Sequence, residues 1–156
     1  MTEQLYNTRI LRLAASIPHE ERLADPQASV RRVSPICGSR VTVDLDLGAD
    51  GRVARFGQEV RACALGQAAA CLVGQRVIGR TPTELAAARD AMRDFLAGTP
   101  VDWSAHGDGG WGELEIFAPA REFKSRHGSI LLAFEAAAEA AETAARQPPA
   151  AGGADT

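Results

Sequence analysis

The cysteines Cys37, Cys63 and Cys71 are the side chains with the most distinctive chemistry in this sequence. Their odd number and their spacing do not fit a secreted disulfide framework, so we expect reduced thiols in a cytosolic protein. A thiolate binds metal or attacks sulfur. Cys37 lies between two predicted strands, and Cys63 stands where a strand gives way to a helix, whose free amide hydrogens and dipole favour a thiolate. The alternative for either cysteine is a small buried residue.

Cys71 and His127 are weaker candidates for this chemistry. Cys71 follows Cys63 on the same predicted helix, about 12 Å along its axis at about 1.5 Å per residue. Because zinc–sulfur bonds are about 2.3 Å long, one ion does not easily reach both, and we assign Cys71 to the core. His127 could ligate a metal as a neutral imidazole, although a lone histidine of this kind is more often a capping or surface residue.

Two kinds of periodicity predict the elements that position these residues. The segment RVTVDLDL (40–47) alternates strictly and predicts a half-buried strand, with Val41 on the buried face and Asp44 on the other. Thr81 to Glu84 forms a capping box with proline at the first helical position, so a helix starts there and ends before Gly98. The remaining expectations are a helix over 5–15, strands over 29–34 and 52–62, helices over 63–78 and 129–145, a glycine-rich loop over 99–112, and either a short helix or an apolar packing segment over 113–123.

Strands grouped before helices indicate an α+β fold, with helices on one face of a three-stranded antiparallel sheet. The chain of 156 residues predicts one domain over 1–146 and a disordered tail over 147–156. The net charge of −3 without a basic stripe does not favour nucleic acid as a partner. No apolar run approaches the roughly 20 residues that span a bilayer, so no membrane partner is expected.

Several short segments, in this order and spacing, resemble the iron–sulfur cluster assembly scaffolds of the IscU/NifU/SufU type, and most of all the SufU branch. The resemblance covers about residues 5–143 and implies the SufE/IscU-like fold. The segments that carry it are Leu5 to Leu11, Pro35 to Gly38 with the strand that follows, Arg61 to Ala64, Gly79 to Thr81, and Gly112 to Phe123 with Arg126.

The resemblance also implies a set of ligands. In such scaffolds three cysteines and an aspartate hold a nascent cluster or a zinc ion. Cys37 and Cys63 match two of the cysteines, whereas Ser39 stands at the aspartate position and Gly128 at that of the third cysteine, beside His127. A serine hydroxyl is a poor ligand for soft or borderline metals, and glycine has no side chain. The partners implied are a cysteine desulfurase and recipient apo-proteins.

Three functions follow as hypotheses. The first is a scaffold or sulfur acceptor rather than an enzyme, in which Cys37 accepts sulfur, and Cys37, Cys63 and His127 bind a transient Fe–S cluster, iron or zinc. Two cysteines from each of two subunits could hold the cluster in a homodimer. The second is a binding module that kept the fold and lost cluster assembly. The third is a zinc-dependent, SufU-like sulfurtransferase.

Overall fold

A computed structural model of the chain describes residues 6–36, 38–106 and 111–147. The short first helix ends before an irregular segment that leads into three strands, and the remaining helices follow. In chain order the elements are α1 (Thr8–Ala14), β1 (Ala28–Val33), β2 (Arg40–Leu47), β3 (Val53–Arg61), α2 (Ala64–Arg76), α3 (Pro82–Leu96), two 3-10 segments (Trp103–His106 and Trp111–Glu122) and α4 (Lys124–Ala145).

The three strands form one antiparallel sheet in the order β1-β2-β3. Arg40, the first residue of β2, lies opposite both Val33 at the end of β1 and Arg61 at the end of β3. The β1–β2 turn and the residues after β3 therefore meet at the same end of the sheet. With the helices on one face, this architecture confirms the predicted α+β class.

The buried face of the sheet packs mainly against α4, which also contacts α2 and α3. Ile130, Phe134, Ala137 and Ala141, the residues predicted for its buried face, are all buried. The helix begins at Lys124, earlier than predicted. No helix among the described residues is long and apolar enough to cross a membrane.

The prediction that β2 is only half-buried is wrong. Thr42, Asp44 and Asp46, on the face expected to meet solvent, are all buried. The irregular segment over 16–27 covers part of this face: Arg22 forms a salt bridge with Asp44, and the Gln27 N–H donates to Asp46. A contact between segments distant in sequence thus buries charges that the alternation alone assigns to solvent.

The helix boundaries agree with their sequence signals. Thr81 accepts from the Glu84 amide while the Glu84 carboxylate accepts from the Thr81 amide, which confirms the capping box. Gly98 follows α3 with a φ of 98°, a left-handed conformation suited to glycine. The segment left open at 113–123 lies in the second 3-10 segment and packs through Trp111, Leu114, Phe117 and Ala120. Most of the predicted tail, from 148 onwards, lies outside the described residues.

Candidate sulfur and metal site

Cys63 is the N-cap residue of α2 and follows β3 almost directly. Its backbone is extended, and its side chain makes no capping hydrogen bond. The side chain is partly exposed. The strand-to-helix junction predicted from the sequence therefore places Cys63 at the end of the sheet, where the residue is partly exposed.

The β1–β2 turn lies at the same end of the sheet. The Ser34 amide donates to the Ser39 carbonyl at 2.8 Å, and the Gly38 amide donates to the Ser34 carbonyl at 2.9 Å. Gly38 has a φ of 74°, which favours glycine at this tight turn. Cys37, the predicted sulfur acceptor, lies outside the described residues, although its neighbours on both sides belong to the turn.

A serine that the sequence analysis did not assign to the site links the two segments. The Ser129 hydroxyl oxygen lies 3.3 Å from the Cys63 sulfur and 3.2 Å from the Ser39 hydroxyl oxygen. Both serines are buried. Ser39 stands at the position that holds an aspartate in the scaffolds that this chain resembles. The Ser129 hydroxyl therefore links that position to Cys63. The only signal in the sequence was the place of Ser129 directly after Gly128.

Gly128 lies in the first turns of α4 and faces the β1–β2 turn. A Cβ atom built on this residue would lie 3.0 Å from the Ser34 hydroxyl oxygen. The backbone thus brings the position predicted for a third cysteine to the turn that follows β1. Glycine at this position supplies no thiol, and the Ser34 side chain occupies the adjacent space.

His127 is engaged with the 3-10 segment that precedes α4. Its Nε2 lies 2.8 Å from the Ala120 carbonyl oxygen, which can only accept, so this nitrogen carries the proton. Nδ1 is the nitrogen left for a metal. The described residues contain no group of three histidine, cysteine or acidic side chains that could hold a metal ion. Because Cys37 is not among them, the metal set of Cys37, Cys63 and His127 stays a prediction.

Cys71 belongs to the core, as predicted. It is fully buried, and its sulfur lies 3.4 Å from the Ser16 carbonyl oxygen and 3.5 Å from Gln75 Nε2. Burial raises the pKa of this thiol above its ordinary value, and the charge of Arg76 offsets only part of the effect. A buried thiol held in its neutral form is a structural residue rather than a nucleophile.

Comparison with solved structures gives the family. The N-terminal domain of a nitrogen-fixing NifU-like protein from Brucella abortus is 39% identical, with a TM-score of 0.85 over 94% of this chain and 99% of that one. A candidate iron–sulfur cluster assembly scaffold protein for the SUF system from Fervidobacterium islandicum AW-1 is 17% identical, with a TM-score of 0.79 over 90% and 99%. A hypothetical protein is 20% identical, with a TM-score of 0.76 over 90% and 98%.

No family model matches the sequence, and no curated protein does. The identity and coverage of the Brucella abortus domain are nevertheless high enough to settle membership. The chain belongs to the IscU/NifU/SufU family of scaffold proteins, as the resemblance predicted. The Fervidobacterium islandicum structure, at lower identity, shows the shared fold alone.

Proposed function

We propose that this protein works in iron–sulfur cluster assembly as a scaffold or sulfur acceptor that takes its cargo on Cys37 and Cys63. The observation that carries the proposal is the meeting of the β1–β2 turn with Cys63 at one end of the sheet, bridged by Ser129. Family membership supports the scaffold role. The partial exposure of Cys63 supports its access to a partner.

The reaction that the thiols of Cys37 and Cys63 would carry out is sulfur transfer. A thiolate of Cys37 or Cys63 attacks the outer sulfur of a persulfide carried by a cysteine desulfurase. A new sulfur–sulfur bond forms on the scaffold, the sulfur–sulfur bond of the donor breaks, and the donor cysteine leaves as a thiolate. No external oxidant or reductant is consumed, because the sulfur keeps its oxidation state. This step needs no metal.

The side chains at the candidate site suit sulfur transfer better than they suit a permanently bound metal. Fe–S clusters are usually held by four cysteine thiolates, with histidine as a known substitute. Here Ser39 and Gly128 stand at two of the four family positions, and His127 uses one ring nitrogen on a carbonyl. A cluster is therefore cargo that two chains share, each giving Cys37 and Cys63, before delivery to an apo-protein.

A loading experiment tests the proposal. Protein purified without air is analysed for metal, reconstituted with iron and sulfide, and separately incubated with a cysteine desulfurase and cysteine. We expect an iron–sulfur absorbance band and a persulfide, seen as one added sulfur atom in the mass of a Cys37 or Cys63 peptide. Cys37→Ala and Cys63→Ala should lose loading. The matched control is Cys71→Ala, which removes the same atoms from the core. This variant should keep its loading.

The specific observation in favour of a second function is the hydroxyl pair at the site. Ser39 and Ser129 hydrogen-bond to each other where a metal ligand would be expected. A protein that keeps this arrangement only to dock a partner would stay colourless and free of metal and persulfide under conditions that load a complete scaffold.

Stoichiometric zinc without iron, with faster desulfurase turnover, would instead support the zinc-dependent sulfurtransferase. Equal loading of Cys37→Ala and the parent protein would refute the cysteine assignment.

A further inference from the structure

The outer face of the sheet, which the helices do not cover, is only half covered by the segment over 16–27. That segment lies over the part far from the β1–β2 turn: Arg22 reaches Asp44, and a Cβ atom on Gly57 would lie 2.3 Å from the Glu21 carbonyl oxygen. Asp44 and Gly57 are paired across β2 and β3. In the two rows of residues nearer the turn, Arg31, Arg40 and Arg61 are exposed on this face.

These two rows are rich in arginine. Directly paired residues of an antiparallel sheet share a face, so the register places Val33, Arg40 and Arg61 in the first row. Arg31 and Glu59 flank the buried Thr42 in the second row. The three arginines are exposed, and Glu59 is the one carboxylate in the two rows.

Arg40 and Arg61 lie directly opposite each other across β2 and β3. Direct opposition of like charges in a sheet is unfavourable. Within the described ranges, no carboxylate forms a salt bridge with either side chain, whereas several other surface arginines have acidic partners. The arginines with such partners include Arg32, Arg52, Arg55, Arg89 and Arg93. The fold therefore retains a local positive charge on a chain whose net charge is −3.

Exposed apolar side chains adjoin these cations. Val33 is 53% exposed in the first row, and Ile36, in the turn itself, is 73% exposed. Exposed apolar groups grouped beside unpaired cations are typical of an interaction surface rather than of a solvated one. We define the arginine face as the surface formed by Arg31, Val33, Ile36, Arg40 and Arg61.

We propose that the arginine face docks an acidic segment of a partner protein that also carries an apolar side chain. Carboxylates of that segment pair with Arg40 and Arg61, and its apolar side chain packs on Val33 and Ile36. Complementary charge of this kind steers the encounter and fixes orientation. Cys63 lies just beyond Arg61, so, on the basis of the proposed function, the docked partner is the protein that exchanges cargo there.

Binding of defined peptides to the full chain tests this proposal. The probe is a fluorescein-labelled peptide of repeated Glu-Glu-Leu, measured by fluorescence anisotropy. Arg40→Ser/Arg61→Ser should weaken its binding about tenfold, because two charge contacts are lost. The matched control, Arg12→Ser/Arg146→Ser, removes the same charge from two exposed arginines far from this face in sequence and should change affinity by less than about twofold. Circular dichroism and the thermal midpoint verify that both variants fold.

Several results would overturn the docking proposal. They are absence of peptide binding by the parent protein, equal weakening in both double variants, and equal binding of a Lys-Lys-Leu peptide. Tighter binding of a single-stranded oligonucleotide, or a dimer that Arg40→Ser/Arg61→Ser dissociates, would assign the face to nucleic acid or to a second copy instead. Because the peptides carry no sulfur or metal, failure of cysteine loading with peptide binding intact would refute the proposed function alone.

Discussion

At the scale of single residues, Asp44 is a charged side chain that the fold encloses completely. Its side chain is buried, and both its oxygens accept from Arg22, at 2.6 and 3.2 Å. The Leu23 amide donates to it as well. Burial by itself raises the pKa of this carboxyl, but the hydrogen bonds from Arg22, Ser29 and Leu23 outweigh that effect and hold the pKa below its ordinary value.

This balance predicts how stability depends on pH. A carboxyl whose pKa is lower in the folded than in the unfolded state stabilises the fold above the unfolded value of about 4, and this contribution is lost as pH falls through the folded value. Asp44→Asn should lower the free energy of unfolding by about 1–3 kcal/mol at neutral pH. The difference from the parent protein should shrink below about pH 4 in urea titrations. A difference that stays constant down to acidic pH would contradict this account.

The cysteines should differ in reactivity according to their burial. Cys63 is partly exposed, whereas Cys71 is buried with a raised pKa. Iodoacetamide at neutral pH should therefore label Cys63 in the native protein and reach Cys71 only after unfolding in guanidinium. Peptide mapping by mass spectrometry measures both rates, and Cys63→Ala serves as the control. Equal rates in the native protein would contradict the assignment of Cys71 to the core.

At the scale of elements, the close approach of α2 and α4 depends on Gly66. A Cβ atom on this residue would lie 2.6 Å from the Ser129 hydroxyl oxygen and 2.7 Å from the Ala62 Cβ. Such contacts are too short, so the Ser129 hydroxyl and the backbone around Ala62 must both shift to admit a side chain. The small residue in α2 is therefore what allows Ser129 to lie between Cys63 and Ser39.

Gly66→Ala should destabilise the protein although alanine favours helices. Propensity alone would stabilise α2 by about 1 kcal/mol. The overpacking should outweigh this gain and give a net loss of about 1–2 kcal/mol in the free energy of unfolding. Chemical denaturation measures the change. Adding Ser129→Ala should recover part of the loss, because it removes the nearest atom, and a stabilising Gly66→Ala would refute the packing argument.

Local signals in the sequence predicted the elements better than the site. The strand over 40–47 and the capping box at Thr81 depend on neighbouring residues only, and both are confirmed, although the strand is buried on both faces. The burial of Asp44 and the link from Ser39 to Ser129 depend on contacts between distant segments, which no periodicity encodes. The resemblance adds what periodicity does not contain, because it marks Ser39 and Gly128 as departures from the family's ligand set.

At the scale of the whole molecule, the supply of thiols predicts the assembly state of the loaded protein. On the proposed assignment one chain offers Cys37 and Cys63, so a cluster held by four thiolates needs two chains. Sedimentation without air should show a doubling of mass upon reconstitution with iron and sulfide. Removal of the iron by a chelator should return the monomer. A loaded protein that stays monomeric would show that one chain completes the ligand set by itself.

The contact between Gly128 and Ser34 also determines how a complete ligand set could be rebuilt. A cysteine at 128 would start from a Cβ only 3.0 Å from the Ser34 hydroxyl, which has to give way. That side chain has to move by only a few tenths of an ångström, and Ser34→Gly should relieve the contact where it does not turn aside. The main chain therefore leaves nearly enough room for a third cysteine beside the turn, and a complete ligand set differs from this sequence in side chains rather than in backbone.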